Sequence, residues 1–207
     1  MIFSESRQFI FFAVPKTGTH AVRAALRPHL STSDWEQQLR YGQQLSPLPK
    51  IAEINHGHVS YRQLSDVIGE RTLQTLFSFA FTRHPFDRFV SVCAFLARTD
   101  VSYNENPTEW MKRALQRPQF RQRVLAATQC SLLSDQDGKV KLDYVGRFET
   151  LQSDFDTICA RIGLPMVPLE FKNTSAHKAF QKLLDDELRE ILWKRYETDF
   201  VTFNYSP

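Results

Sequence analysis

The stretch Phe9-Ile10-Phe11-Phe12-Ala13-Val14 runs without a polar residue straight into Pro15-Lys16-Thr17-Gly18-Thr19. A continuous aromatic and β-branched run is the pattern of a strand buried on both faces, and Pro15 marks the turn that stops it. Beyond the loop, His20–Leu30 places Ala21, Ala24, Ala25 and Leu26 at helical spacing, with small residues where a helix must lie close to a sheet. The chain therefore begins as strand, tight loop, helix.

The same alternation recurs. Lys50–Asn55 reads as a second strand, followed by His56-Gly57-His58 and a helix from Tyr61 to Ile68, and Leu76–Thr82 reads as a third. Pro85 suits the first turn of a helix whose apolar face continues through Phe89, Val90, Cys93, Phe95 and Leu96. Asp143–Phe148 is a further short strand, and Leu151, Phe155, Ile158 and Ile162 mark a helix that Gly163-Leu164-Pro165 ends. A last helix spans about Asp185 to Thr198, acidic at its start and basic near its end, as the helix dipole favours. Strands separated by helices give an α/β fold, a three-layer sandwich around a central parallel sheet. No repeat and no linker rich in Pro, Gly or Ser divides the 207 residues, so a single domain over 1–207 is expected.

Composition narrows the classes. Cys93, Cys130 and Cys159 are odd in number and lack a C-x-x-C, which argues against a disulfide framework and a zinc ribbon and for a reducing compartment. The apolar run Phe9–Val14 is too short for a signal-peptide core or a membrane span, so a soluble, cytoplasmic protein is expected. Net charge is +3, too mild for a nucleic-acid footprint. Its distribution is uneven: Trp110–Ser134 holds Lys112, Arg113, Arg117, Arg121 and Arg123 and no acid, leaving −2 elsewhere. That stretch reads as a solvated helix face or as a patch for an acidic partner.

Two segments carry chemistry. In Pro15–His20 the amides of a helix N-terminus and its dipole favour an anion, Gly18 lets the backbone approach it, Thr17 and Thr19 add hydroxyls, and Lys16 adds a charge. The loop is not a Walker A sequence, because Lys16 precedes the only glycine. In Thr82-Arg83-His84-Pro85-Phe86-Asp87-Arg88-Phe89-Val90-Ser91 the arrangement repeats after a strand. Arg83 and Ser91 can reach one phosphate, with Asp87 capping or pairing locally. Two anion sites at neighbouring strand ends suit a nucleoside carrying phosphates at both ends.

These residues resemble those of the sulfotransferases that use 3′-phosphoadenosine 5′-phosphosulfate (PAPS). Pro15-Lys16-Thr17-Gly18-Thr19 is similar to their 5′-phosphosulfate loop, and Arg83…Arg88…Ser91 to their 3′-phosphate motif. His56-Gly57-His58-Val59-Ser60-Tyr61 resembles a segment of the heparan sulfate 2-O-sulfotransferase type within sulfotransferase family 2. Gly146–Phe155, Asn173–Lys178 and Tyr196–Phe200 resemble the later blocks in the same order. The resemblance implies a P-loop-like nucleotide-binding fold, PAPS as sulfuryl donor and adenosine 3′,5′-bisphosphate (PAP) as product. It also implies a hydroxyl-bearing acceptor, foremost a carbohydrate and one that Trp110–Arg123 would suit if anionic.

Sulfuryl transfer needs charge neutralised at the bridging and leaving oxygens and a base for the acceptor proton. Lys16 and the loop amides Thr17–His20 suit the first need. No metal is required, since a sulfuryl group carries one negative charge where a phosphoryl carries two. A histidine suits the second need, and the resemblance implies one of His56 and His58, with His58 favoured as base and His56 as support on the substrate side. It further implies that Ser175, His177 and Lys178 close over the 3′-phosphate end. The rival readings are a P-loop nucleotide kinase, which would need carboxylate metal ligands where Arg83 stands, and a non-catalytic polyanion-binding module.

Overall fold

The computed structural model describes residues 1–37, 46–170 and 180–207. The strands are β1 Ile2–Ser4, β2 Phe9–Phe12, β3 Trp35–Glu36, β4 Phe77–Thr82 and β5 Tyr144–Arg147. The helices are α1 Thr19–Leu26, α2 Pro49–Ala52, α3 Tyr61–Ile68, α4 Glu70–Gln74, α5 Pro85–Leu96, α6 Val101–Glu105, α7 Pro107–Gln116, α8 Pro118–Arg121, α9 Gln129–Leu133, α10 Leu151–Arg161 and α11 Asp186–Thr202. The chain divides into two compact units, Met1–Thr82 with Gln129–Lys172 and Arg83–Thr128 with Asn173–Pro207.

The first unit is built on a five-stranded sheet in the order β3-β1-β2-β4-β5. β4 pairs parallel with β2, Phe9 opposite Phe77, and with β5, Thr82 opposite Arg147. β1 pairs antiparallel with both β2 and β3, so it alone of the five runs against the rest. Every residue of β2 is buried, which is why its sequence shows no polar alternation. Phe9, Phe11, Phe79 and Phe81 form one core with Ala21, Val22, Ala25 and Leu26 of α1 and Leu151, Phe155 and Ile158 of α10. On the opposite face Phe12 meets Tyr61 of α3, ring centroids 5.8 Å apart. Helices thus cover both faces of the sheet, as the three-layer expectation requires.

Two local expectations are corrected, and two short strands are added. Lys50–Asn55 is not a strand: Pro49 opens the short helix α2, and the amides of Ile51 and Ala52 donate to the Leu48 carbonyl. Proline at the first helical position was the overlooked signal. α1 stops at Leu26 and passes into a 3₁₀ turn over Arg27–His29, because Pro28 has no amide to continue the ladder. β1 and β3, of three and two residues, were not anticipated.

In the second unit Phe86, Phe89, Val90 and Cys93 of α5 pack with Met111 and Leu115 of α7 and Leu188, Leu192, Tyr196 and Phe200 of α11. The Asp185 side chain caps α11 by accepting from the Leu188 amide at 2.9 Å. α11 kinks at Tyr196, where φ is −113° and ψ 17°. The Arg88 guanidinium lies 5.7 Å from the Tyr196 ring centre and donates to the carbonyls of Leu125 and Ala127. Among the described residues no helix is long and apolar enough to cross a membrane.

Candidate functional site

β2 ends at Phe12 and α1 begins at Thr19, and the backbone between them is unusual. Lys16 has φ 67° and Gly18 φ 80°, while Thr17 between them is not in the left-handed region. Alternation of the sign of φ over consecutive residues curls their amides toward one side, a concavity that takes anions. Holding a lysine left-handed costs about 1–2 kcal/mol, strain of the kind that collects at functional sites. Gly18 is the N-cap residue of α1, with no side-chain cap and no acid in the first turn, so neither device competes with a ligand for the helix amides. A Cβ on Gly18 would stand 2.5 Å from Leu151 Cδ2, so the loop lies tight against the start of α10.

The loop residues divide their work. Pro15 and Thr17 are buried, and the Thr17 hydroxyl donates to the Val14 carbonyl at 3.0 Å. Its hydroxyl proton therefore braces the loop, and what Thr17 offers a ligand is its backbone amide. Thr19 is buried, Lys16 is half-buried and His20 is exposed at the second position of α1. His20 is held below the ordinary imidazole range by desolvation and then by Arg23, Lys16 and Arg27, with Glu36 opposing. That balance marks the surroundings of the loop as electropositive.

The His-Gly-His turn is bolted to this loop. His58 Nδ1 lies 2.7 Å from the carbonyl oxygen of Ala13, at the root of the loop. A carbonyl only accepts, so Nδ1 carries the proton and Nε2 holds the lone pair. His56 is set the opposite way: its Nδ1 accepts from the His58 amide at 3.3 Å, which leaves the proton on Nε2. The two imidazoles, 6.1 Å apart, thus offer one acceptor and one donor. His58 is pushed down to about 3, by burial first and by the Met1 amine, Arg23 and His56, against the Ala13 hydrogen bond. It is therefore neutral at neutral pH, with its lone pair on Nε2. His56 is also lowered, by burial first.

Between the two histidines, Gly57 is fixed by close approach. A Cβ there would fall 2.6 Å from the Gln37 carbonyl oxygen and 2.7 Å from Arg23 Nη2. Arg23, four residues into α1 and buried, donates through Nη2 to the Gly57 carbonyl at 2.7 Å. Its charge is partly met by Glu36 of β3, 3.4 Å away, which also takes the Arg27 fork at 2.7 and 2.9 Å. Burial lowers Arg23 to about 10, so it stays charged. Beyond the turn, Ser60 and Gln63 form a capping box: the Ser60 hydroxyl accepts from the Gln63 amide, and the Gln63 side chain accepts from the Ser60 amide. The S-x-x-Q pattern that signals this box was legible but unused. Arg23 and Glu36 carried no signal at all, because their contacts join residues far apart in sequence.

The second anion motif falls in the second unit. Arg83 directly follows β4, is 7% exposed, and holds the Asp87 carboxylate through Nε at 2.7 Å. Pro85 opens α5, and Ser91 lies buried in its second turn. Arg88 is committed to the carbonyls of Leu125 and Ala127 and so supports the backbone. Ser175, His177 and Lys178 lie outside the described residues.

A sequence profile of the family described as "Sulfotransferase family" matches residues 1–206. The chain belongs to the sulfotransferase family. Its mixed α/β architecture around a central sheet fits that membership, and sulfuryl transfer is the family's activity. An uncharacterized protein of Archaeoglobus fulgidus is 26% identical over 122 residues, covering 56% of this chain and 92% of that one. No solved structure matches.

Proposed function

We propose that this sulfotransferase moves the sulfuryl group of PAPS to a hydroxyl of a carbohydrate acceptor, with His58 as the base. The observation that carries the reading is the 2.7 Å contact of His58 Nδ1 with the Ala13 carbonyl. It ties a proton-accepting Nε2 to the root of a loop shaped for an anion. The match over residues 1–206 supports treating both units as one catalytic domain with a P-loop-like donor site.

The alternating loop of the first unit suits the sulfated end of the donor. The amides of Thr17–His20 and Lys16 would take its 5′-phosphosulfate; for its 3′-phosphate the resemblance assigns Arg83 and Ser91, and also Ser175, His177 and Lys178, which lie outside the described residues. When bound, the donor supplies an activated S–O bond whose cleavage toward the acceptor oxygen releases PAP. Lys16 and the curled amides present fixed positive charge where negative charge develops, without reorganisation at the moment of reaction. His58 Nε2 receives the acceptor's hydroxyl proton while Nδ1–H stays on Ala13, and His56 Nε2–H is left to hold an acceptor oxygen.

An anionic acceptor is supported by the second unit. Arg113, Arg117, Arg121 and Arg123 are all exposed, and α7–α8 bury Met111, Leu115 and Phe120 instead. Lys112 does not join them: it is held by Asp185 at 2.7 Å and by Glu187. Calorimetry tests the donor reading. Adenosine 3′,5′-bisphosphate should bind at least tenfold tighter than AMP or ADP without a metal, and equal affinities would overturn it.

A further inference from the structure

We propose that Arg23 is a positioning residue, whose grip on the Gly57 carbonyl fixes the opposed proton arrangement of His56 and His58. The proposal rests on the reading of His58 as base. Three observations carry it. Arg23 Nη2 reaches the carbonyl of the one residue between the two histidines, at 2.7 Å. The space beside Gly57 is filled by that same guanidinium, so the turn cannot slide toward α1. Arg23 is itself held by Glu36, which retains both hydrogen bonds of the Arg27 fork.

The chain of contacts is short and stiff. α1 begins at the anion loop, so the helix that presents its amides to the donor also carries, one turn on, the side chain that holds the turn bearing the base. Bonds at Ala13 and Gly57 pin this segment at two points, the ring of His58 and the backbone beside it. The Gly57 carbonyl also accepts from the Met1 amine, so losing Arg23 leaves that single bond to hold the backbone beside the imidazole and loosens the turn. Misplacement of a reacting group by about 1 Å costs on the order of 100-fold in rate.

Arg23→Met removes the donor and keeps the bulk, and Glu36 stays paired with Arg27. Arg23→Lys keeps the charge and one donor. The expected result is a fall in kcat of about 100-fold for the Met variant with donor KM within threefold, and partial recovery in the Lys variant. In the ¹⁵N spectrum of the imidazoles, the wild type should show His58 protonated at Nδ1 alone, and Arg23→Met should show a mixture. In a His58→Ala background, Arg23→Met should have no further effect on kcat. An unchanged tautomer spectrum in a folded Arg23→Met or Arg23→Lys protein, or an undiminished effect of Arg23→Met in the His58→Ala background, would overturn the proposal. If Arg23→Met does not fold, the comparison rests on Arg23→Lys, where a partly mixed spectrum with a partly lowered kcat would support it and a wild-type spectrum, or a mixed spectrum with wild-type kcat, would overturn it. A His58→Ala protein with wild-type kcat would instead remove the base reading, and the spectra would still decide whether Arg23 holds the turn.

Discussion

Replacing Lys16 by glycine and by alanine separates the loop's strain from its chemistry. Lys16 sits at φ 67°, and both variants lose everything beyond Cβ, so comparing them cancels whatever the side chain touches. Alanine retains the left-handed penalty of about 1–2 kcal/mol, and glycine is relieved of it. Against this, glycine gives the unfolded chain more freedom, about 0.5–1 kcal/mol. Lys16→Gly should therefore be more stable than Lys16→Ala by about 0.5–1 kcal/mol, or roughly 1–4 °C for a chain of this size. Urea unfolding followed by circular dichroism gives the difference, and a sulfuryl-transfer assay should show both variants equally depleted in turnover. Alanine equal to or more stable than glycine would mean that residue 16 is not held left-handed, and the alternating loop would be refuted.

Other expectations follow from the same geometry. Gly57→Ala should destabilise the protein by about 1–3 kcal/mol through overpacking against the Gln37 carbonyl and Arg23, and should abolish transfer; wild-type stability on denaturation would remove the close approach. Because His58 lies at about 3, kcat/KM should lose no base between pH 7 and 5, whereas an acid limb near 6.5 would show an ordinary, solvated imidazole. The same shift makes stability fall with acid. Unfolded His58 takes a proton below about 6.5 and the folded one only near 3, so stability present above the first value is lost progressively toward the second, which melting curves across that window measure. Replacing Arg117, Arg121 and Arg123 together by Gln should raise KM for a sulfated or uronate-bearing acceptor and flatten its salt dependence, with donor affinity unmoved; an unchanged KM would remove this face from acceptor binding.

What the sequence disclosed was mostly local. Phe9–Val14 announces a doubly buried strand because sterics and burial are written in consecutive residues, and Tyr61–Ile68 emerges with the bounds its pattern implies. Gly18 could be read as a permissive position from its residue type, but nothing in a lysine signals that residue 16 is also left-handed. The pairing of Arg23 with Gly57 spans 34 residues and depends on how α1 lies beside the turn, so no local pattern contains it. The choice between His56 and His58 was likewise open in sequence, since alternation puts both on one face. Their hydrogen-bond partners distinguish them. β1 and β3 escaped notice because elements so short form through pairing, and that pairing is with distant residues.

Transfer of labelled sulfate from PAPS to a panel of hydroxylated acceptors, with wild-type and His58→Ala protein side by side, tests the central claim most directly. The account expects transfer to at least one carbohydrate by the wild type, its loss in the variant, and bisphosphate affinity within threefold between the two. Transfer by His58→Ala at the wild-type rate would contradict it.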